Sequence, residues 1–209
     1  MQNQKVRFHN LIREFHAIYE NLASNGHDAG SHIQSVTHKL ASIIESPLQV
    51  AATGPEKKPV CRYLGTAIDA GTTGPYASLA NAFEQVTPLL RWEYGYSSMP
   101  DDLYDTYAYT EITGPNGNVY AADIVLGFVL LAPGCFYPEH NHPGIEESYL
   151  CVSGRVVQNG NEVLHEGDFL YNRPGKMHSL AAGADSPCLL GYGWNASRDV
   201  LTGYTMKFG

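Results

Sequence analysis

The segments HNHPGIEESYLCVSG, residues 140–154, and GDFLYNRPGKMH, residues 167–178, decide how this chain folds. Successive strand residues face opposite sides, so His140 and His142 project to one side and can bite a single ion. Pro143 and Gly144 then break the strand into a turn. Beyond it Glu147, Tyr149 and Cys151 share one face of the next strand, while Glu146, Ser148 and Leu150 share the other. Glu147, not Glu146, is therefore the expected ligand. His178, from a distant hairpin, completes a nitrogen and oxygen set suited to one divalent Fe, Mn, Zn, Ni or Co ion per chain, with open positions for a substrate. The inside of a small β-barrel can present such a set.

The flanking sequence agrees. From about residue 103 the chain reads as short β-runs separated by turns: YDTYAYTEI, VYAADIVLGFVLLA, RVVQNGNEVL, DFLY and CLLGYGW. Asn116-Gly117 and Asn159-Gly160 read as hairpin turns. Many short strands without alternating helices predict a mainly β fold, an antiparallel barrel or jelly roll. Upstream, Phe8, Leu11, Ile12, Phe15, Ile18, Tyr19 and Leu22 recur at helical spacing. After the Asn25-Gly26 break, Ile33, Val36, Leu40, Ile43 and Ile44 repeat the pattern. TGPEKKP, 53–59, reads as a loop, and a third helix is expected over 77–87, before Pro88. The division is then an N-terminal helical region, 1–95, packed on a barrel, 96–209. The helices would cap the barrel or make the contact of a homodimer. His9, His16, His27, His32 and His38 lack an acid at ligand spacing and are expected on the surface.

Composition bounds the function. The chain has 209 residues, 44% hydrophobic and 16% charged, enough to bury a full core. A net charge of −8 disfavours nucleic acid and anionic membranes as partners. The longest apolar run, 124–132, is too short to span a bilayer, and MQNQKVRFHN is too polar to start a secretory signal. A cytoplasmic protein is expected, with Cys61, Cys135, Cys151 and Cys188 as reduced thiols and Asn195-Ala196-Ser197 a chance sequon.

Gly134, His140, His142, Glu147 and Gly154 match the first cupin motif, G-x5-H-x-H-x4-E-x6-G, without a gap. Gly167, Pro174, Gly175 and His178 match the second, except that its proline-x-glycine is here the contiguous pair Pro174-Gly175. The chain thus resembles cupins with an N-terminal helical region. Tyr137-Pro138, His142-Pro143, Glu147-Ser148-Tyr149, Trp92, YAYTEITGPNG and LLGYGWN further resemble the cupin-type dimethylsulfoniopropionate (DMSP) lyases, over roughly residues 85–200. The extra Ile145 before the glutamate pair departs from the His-Pro-Ala-Glu-Glu of those lyases.

This resemblance implies a metal-dependent carbon–sulfur lyase that splits DMSP into dimethyl sulfide and acrylate by β-elimination. Tyr149 shares the Glu147 face and Tyr137 lies near His140, so either could serve as general base, its phenolate favoured by the cation. A sulfonium has no hydrogen-bond donors and calls for aromatic faces. Trp194 is the first choice, with Trp92, Tyr94, Tyr120 and Tyr192 as further candidates. Fold and ligands alone also admit a cupin dioxygenase or isomerase acting on another small carboxylate or carbonyl compound. A non-catalytic sensor would need a DNA-binding unit, and the first hundred residues carry no basic patch for one.

Overall fold

The computed structural model describes residues 2–26, 29–52, 54–96, 98–204 and 206. It opens with two long helices, α1 (Gln2–Ser24) and α2 (Gly30–Glu45). Helix α1 buries Phe8, Leu11, Ile12, Phe15, Tyr19 and Leu22, the apolar stripe read from the sequence. Two shorter helices follow, α3 (Leu64–Gly71) and α4 (Ala77–Glu84). Periodicity did not flag α3, whose eight residues are too few for a repeating stripe. Helix α4 ends before 87 because Pro88 sits in a separate 3-10 turn, Thr87–Leu89.

The strands are β1 (Trp92–Glu93), β2 (Tyr107–Gly114), β3 (Val119–Tyr120), β4 (Ile124–Leu131), β5 (Phe136–His140) and β6 (Glu146–Ser153). They continue with β7 (Val156–Gln158), β8 (Glu162–Leu164), β9 (Phe169–Asn172), β10 (His178–Ala182) and β11 (Cys188–Asn195). Short helices α5 (Leu103–Thr106) and α6 (Arg198–Gly203) flank the set. Among the described residues one sheet runs β1-β2-β4-β11-β6-β9, with β3 on β2, and a smaller one runs β5-β10-β7-β8. The large sheet thus takes its first strand from before residue 95.

Both faces of the large sheet are buried, which explains the near-continuous apolar runs. On β4, Ile124, Leu126, Phe128 and Leu130 join the helices in one core, whereas Val125, Val129 and Leu131 face the barrel interior. On β11 the alternation is glycine outside, aromatic inside. A Cβ at Gly191 would stand 3.1 Å from the Phe15 ring, and one at Gly193 2.6 Å from the Tyr19 hydroxyl. The two glycines let α1 lie close on the strand, while Tyr192 and Trp194 fill the other face.

Two local expectations are corrected. Asn159 and Gly160 adopt the positive φ of a tight hairpin, but Asn116-Gly117 does not. There the Glu111 carboxylate accepts from the Asn116 N–H at 2.8 Å, and β3 returns parallel to β2 instead of as a hairpin. His32 is not on the surface: it is wholly buried beside Ile33, with its ring against β6. His27, like Thr53 of the expected loop, lies outside the described residues. Among these, no helix is long and apolar enough to cross a membrane, and all four cysteines are free thiols.

Candidate active site and metal centre

The fold brings His140, His142 and His178 to one point inside the barrel. His140 ends β5 and His178 opens β10, directly opposite in register, while His142 stands in the turn after β5. Nδ1 of His140 donates to Pro138 O at 2.8 Å and Nδ1 of His178 donates to Lys176 O at 3.0 Å, because a carbonyl can only accept. Nδ1 of His142 lies 2.7 Å from the Tyr204 hydroxyl, which itself donates to Asn141 O at 3.1 Å. These contacts place each ring proton on Nδ1 and leave Nε2 as a lone pair.

All three Nε2 atoms are buried without a hydrogen bond, and the ligand atoms of the three rings lie within 4.8 Å of one another. Glu147 completes the group, its oxygens 3.2 Å from His142 Nε2 and 3.0 Å from His178 Nε2. Lone pairs facing a carboxylate at this range need a positive charge between them. A divalent ion with three nitrogen ligands and one oxygen fits that donor set. Burial, then the neighbouring His178, lowers the His140 imidazole to about 3, so it is neutral and ready to ligate at ordinary pH. Burial alone would raise the Glu147 carboxyl, yet positive charge at His142 and His178, whether a proton or a shared ion, holds it well below the usual range.

Glu147 is aimed by neighbours. Trp194 Nε1 donates to Oε1 at 2.8 Å and Asn172 Nδ2 to Oε2 at 3.1 Å, and Asn172 is held in turn by Gln158. Glu146, one residue earlier, points to the opposite face, where Tyr171 and Asn195 donate to it.

A narrow cavity of about 10 Å³ adjoins the centre, walled by Tyr107, Tyr137, Tyr149, Tyr192, Trp194 and Met206. Tyr149 is buried on the Glu147 face, its ring centroid 6.3 Å from that of His178. Tyr137 stacks on Tyr107 at 4.5 Å, lies 4.3 Å from His140, and its hydroxyl meets that of Tyr96. Burial pushes both phenols well above their ordinary value, and for Tyr149 the Glu147 charge adds to it.

Three expected aromatics lie elsewhere. Trp92 pairs with Thr110 in register and so faces outward, edge-on to Phe83 at 6.4 Å in the helix core. Tyr94 is tied to Tyr104 O near Lys58, and Tyr120 is exposed in a groove beside Lys39.

A family model described as dimethylsulfoniopropionate lyase matches residues 32–190. A curated relative named putative dimethylsulfoniopropionate lyase DddL, from Cereibacter sphaeroides, is 42% identical over 202 residues, covering 94% of this chain and 85% of the relative. The chain belongs to the DMSP lyase family. The crystal structure of DMSP lyase DddQ from Ruegeria pomeroyi DSS-3 superposes with a TM-score of 0.66 at 24% identity, covering 91% of each chain. A structure reported for the DMSP lyases RdDddP and RnDddQII superposes with a TM-score of 0.68 at 19% identity over 99% of both chains. Both likenesses concern the fold. The segment matched by the DMSP lyase model contains all four residues of the centre but ends before Trp194 and Tyr204. Sequence reasoning about this DMSP lyase named the four residues that the fold brings together and missed the groups that hold them. Alternation along YAYTE could have found Tyr107 and Tyr109, which share the inner face. No spacing signal points to Asn172, Gln158 or Tyr204, which reach the site through the fold alone.

Proposed function

We propose that the chain cleaves DMSP to dimethyl sulfide and acrylate by β-elimination, with a divalent metal held by His140, His142, Glu147 and His178 and with Tyr149 as general base. The observation that carries this reading is three buried, lone-pair nitrogens facing a carboxylate at the end of an aromatic cavity. The substrate has matching ends, a carboxylate and a sulfonium. When bound, the ion supplies positive charge that grips the substrate carboxylate, acidifies the neighbouring hydrogen and favours a phenolate.

Tyr149 is preferred over Tyr137 because it shares the Glu147 face, whereas the Tyr137 hydroxyl is engaged by Tyr96 and stacked beside Tyr107. The base takes the α-proton, the C–H pair becomes the second bond of acrylate, and the C–S pair leaves on sulfur. No oxidant is consumed. Tyr192 and Trp194, 5.6 Å apart and edge to face, are the proposed rest for the sulfonium, with Tyr109 behind Tyr192 at 6.4 Å. Trp92, Tyr94 and Tyr120 drop out of this grip. The four free thiols support a reducing, cytoplasmic working place.

The test is an anaerobic headspace assay with the metal-loaded protein. Dimethyl sulfide and acrylate should appear in equal amounts, and chelation should abolish both. Release of neither with any of the five candidate metals, together with O2 uptake on another carboxylate or carbonyl compound, would give the site to a dioxygenase.

A further inference from the structure

Strand β6 carries a second buried polar cluster on the face turned away from the metal centre. Ser148, between Glu147 and Tyr149, is wholly buried, as are Tyr19 and His32. Its Oγ lies 2.7 Å from the Tyr19 hydroxyl of α1 and 2.8 Å from His32 Nε2 of α2. His32 Nδ1 stands 3.7 Å from Glu146 Oε2, and the His32 ring lies 5.0 Å from that of Tyr171 on β9. Asn195 of β11 donates to the same Glu146 oxygen at 2.6 Å and accepts from Lys39 at 2.8 Å. The Glu146 charge favours the His32 proton on Nδ1, so Nε2 accepts from Ser148 and Tyr19 donates to Ser148.

Ser148, His32 and Glu146 follow one another as a nucleophilic triad would, but a serine with no exposed surface reaches no substrate. The cluster holds a position instead. Its members come from both N-terminal helices, and it grips the one residue whose backbone joins the metal-facing carboxylate to the preferred base. Gly193 belongs to the device, since a side chain there would meet the Tyr19 hydroxyl. We propose that the helical arm is part of the active site: Tyr19 and His32, through Ser148, are positioning residues that fix the angle of β6, and with it Glu147 toward the metal and Tyr149 toward the substrate. This rests on the function proposed above.

The test uses the full chain with Co(II), whose absorption spectrum reports ligand geometry without turnover. His32→Ala and Ser148→Ala should weaken Co(II) binding by chelator competition and lower kcat, each on the order of tenfold, with KM changed far less. The Co(II) spectrum should change as well. Tyr19→Phe, which removes a single hydroxyl and keeps the packing, should move the same quantities less far. His32→Gln, whose amide can stand where Nε2 stood, should restore part of the loss. Val36→Ala loosens the same helix from its apolar side and should lower the thermal midpoint without altering spectrum, affinity or kcat. If the alanine variants and Tyr19→Phe bind Co(II) and turn over no differently from Val36→Ala at a comparable midpoint, the arm is mere scaffold and the inference falls. A wild-type chain that binds Co(II) but releases no dimethyl sulfide overturns the proposed reaction alone, because the spectrum still judges the positioning. A wild-type chain that binds no Co(II) overturns both.

Discussion

Trp194 donates its indole N–H to Glu147 while its ring packs 4.7 Å from His142 and 5.3 Å from Tyr204. One side chain thus touches two proposed ligands and a third residue that orients one of them. Trp194→Phe keeps an aromatic face but loses the hydrogen bond to the carboxylate. Metal affinity should fall on the order of 10-fold, read by chelator competition, in addition to any rise in KM. Tyr149→Phe removes a hydroxyl that the metal does not need, so metal content should stay while kcat drops by a factor on the order of 10² or more. Tyr137→Phe should cost less. Near-normal turnover in both variants would move proton abstraction to another group. At this scale the four clustered residues were legible from their spacing, and alternation along β6 set Glu147 and Glu146 on opposite faces. The indole's second role was not legible, since it depends on Trp194 standing opposite Glu147 in the β11–β6 register.

Strand β11 shows how an element reconciles two neighbours. Its inner face must be aromatic to wall the cavity, and its outer face must be bare for α1 to approach. Gly193→Ala puts a methyl 2.6 Å from the Tyr19 hydroxyl and should cost about 1–3 kcal/mol of stability. Adding Tyr19→Phe should return part of that loss, a coupling measurable by denaturant titration of the double-mutant cycle. Strictly additive losses would mean that the clash is relieved elsewhere. The helices and most strands were readable from period and turn chemistry. The parallel return of β3 was not, because Asn116-Gly117 looks like a hairpin until Glu111 takes the Asn116 N–H. Buried His32 escaped for a similar reason: its partner Ser148 lies 116 residues away, and no local pattern announces such a pair.

For the molecule as a whole, acidity acts on stability through Glu111. Burial raises this carboxyl from 4.5 to about 7, so between those values the folded chain holds a proton that the unfolded chain has released. Its contribution is present below pH 4.5 and is lost as pH rises toward 7, up to about 3 kcal/mol and less in so far as solvent reaches the group. Glu111→Gln should therefore gain thermal midpoint over the wild type progressively from pH 4.5 to 7, as scanning calorimetry would record. A gain independent of pH would assign the effect to something other than ionisation. The proposed ligands also come from different layers: Glu147 belongs to the large sheet, whereas His140 and His178 belong to the small one. An ion there would act as a rivet through two plates, its binding energy added to their cohesion. Stripped of metal, the β5–β10 pair should exchange its amide hydrogens faster than the β4–β11 pair, and loading should bring the two rates together, so that the barrel melts as one unit.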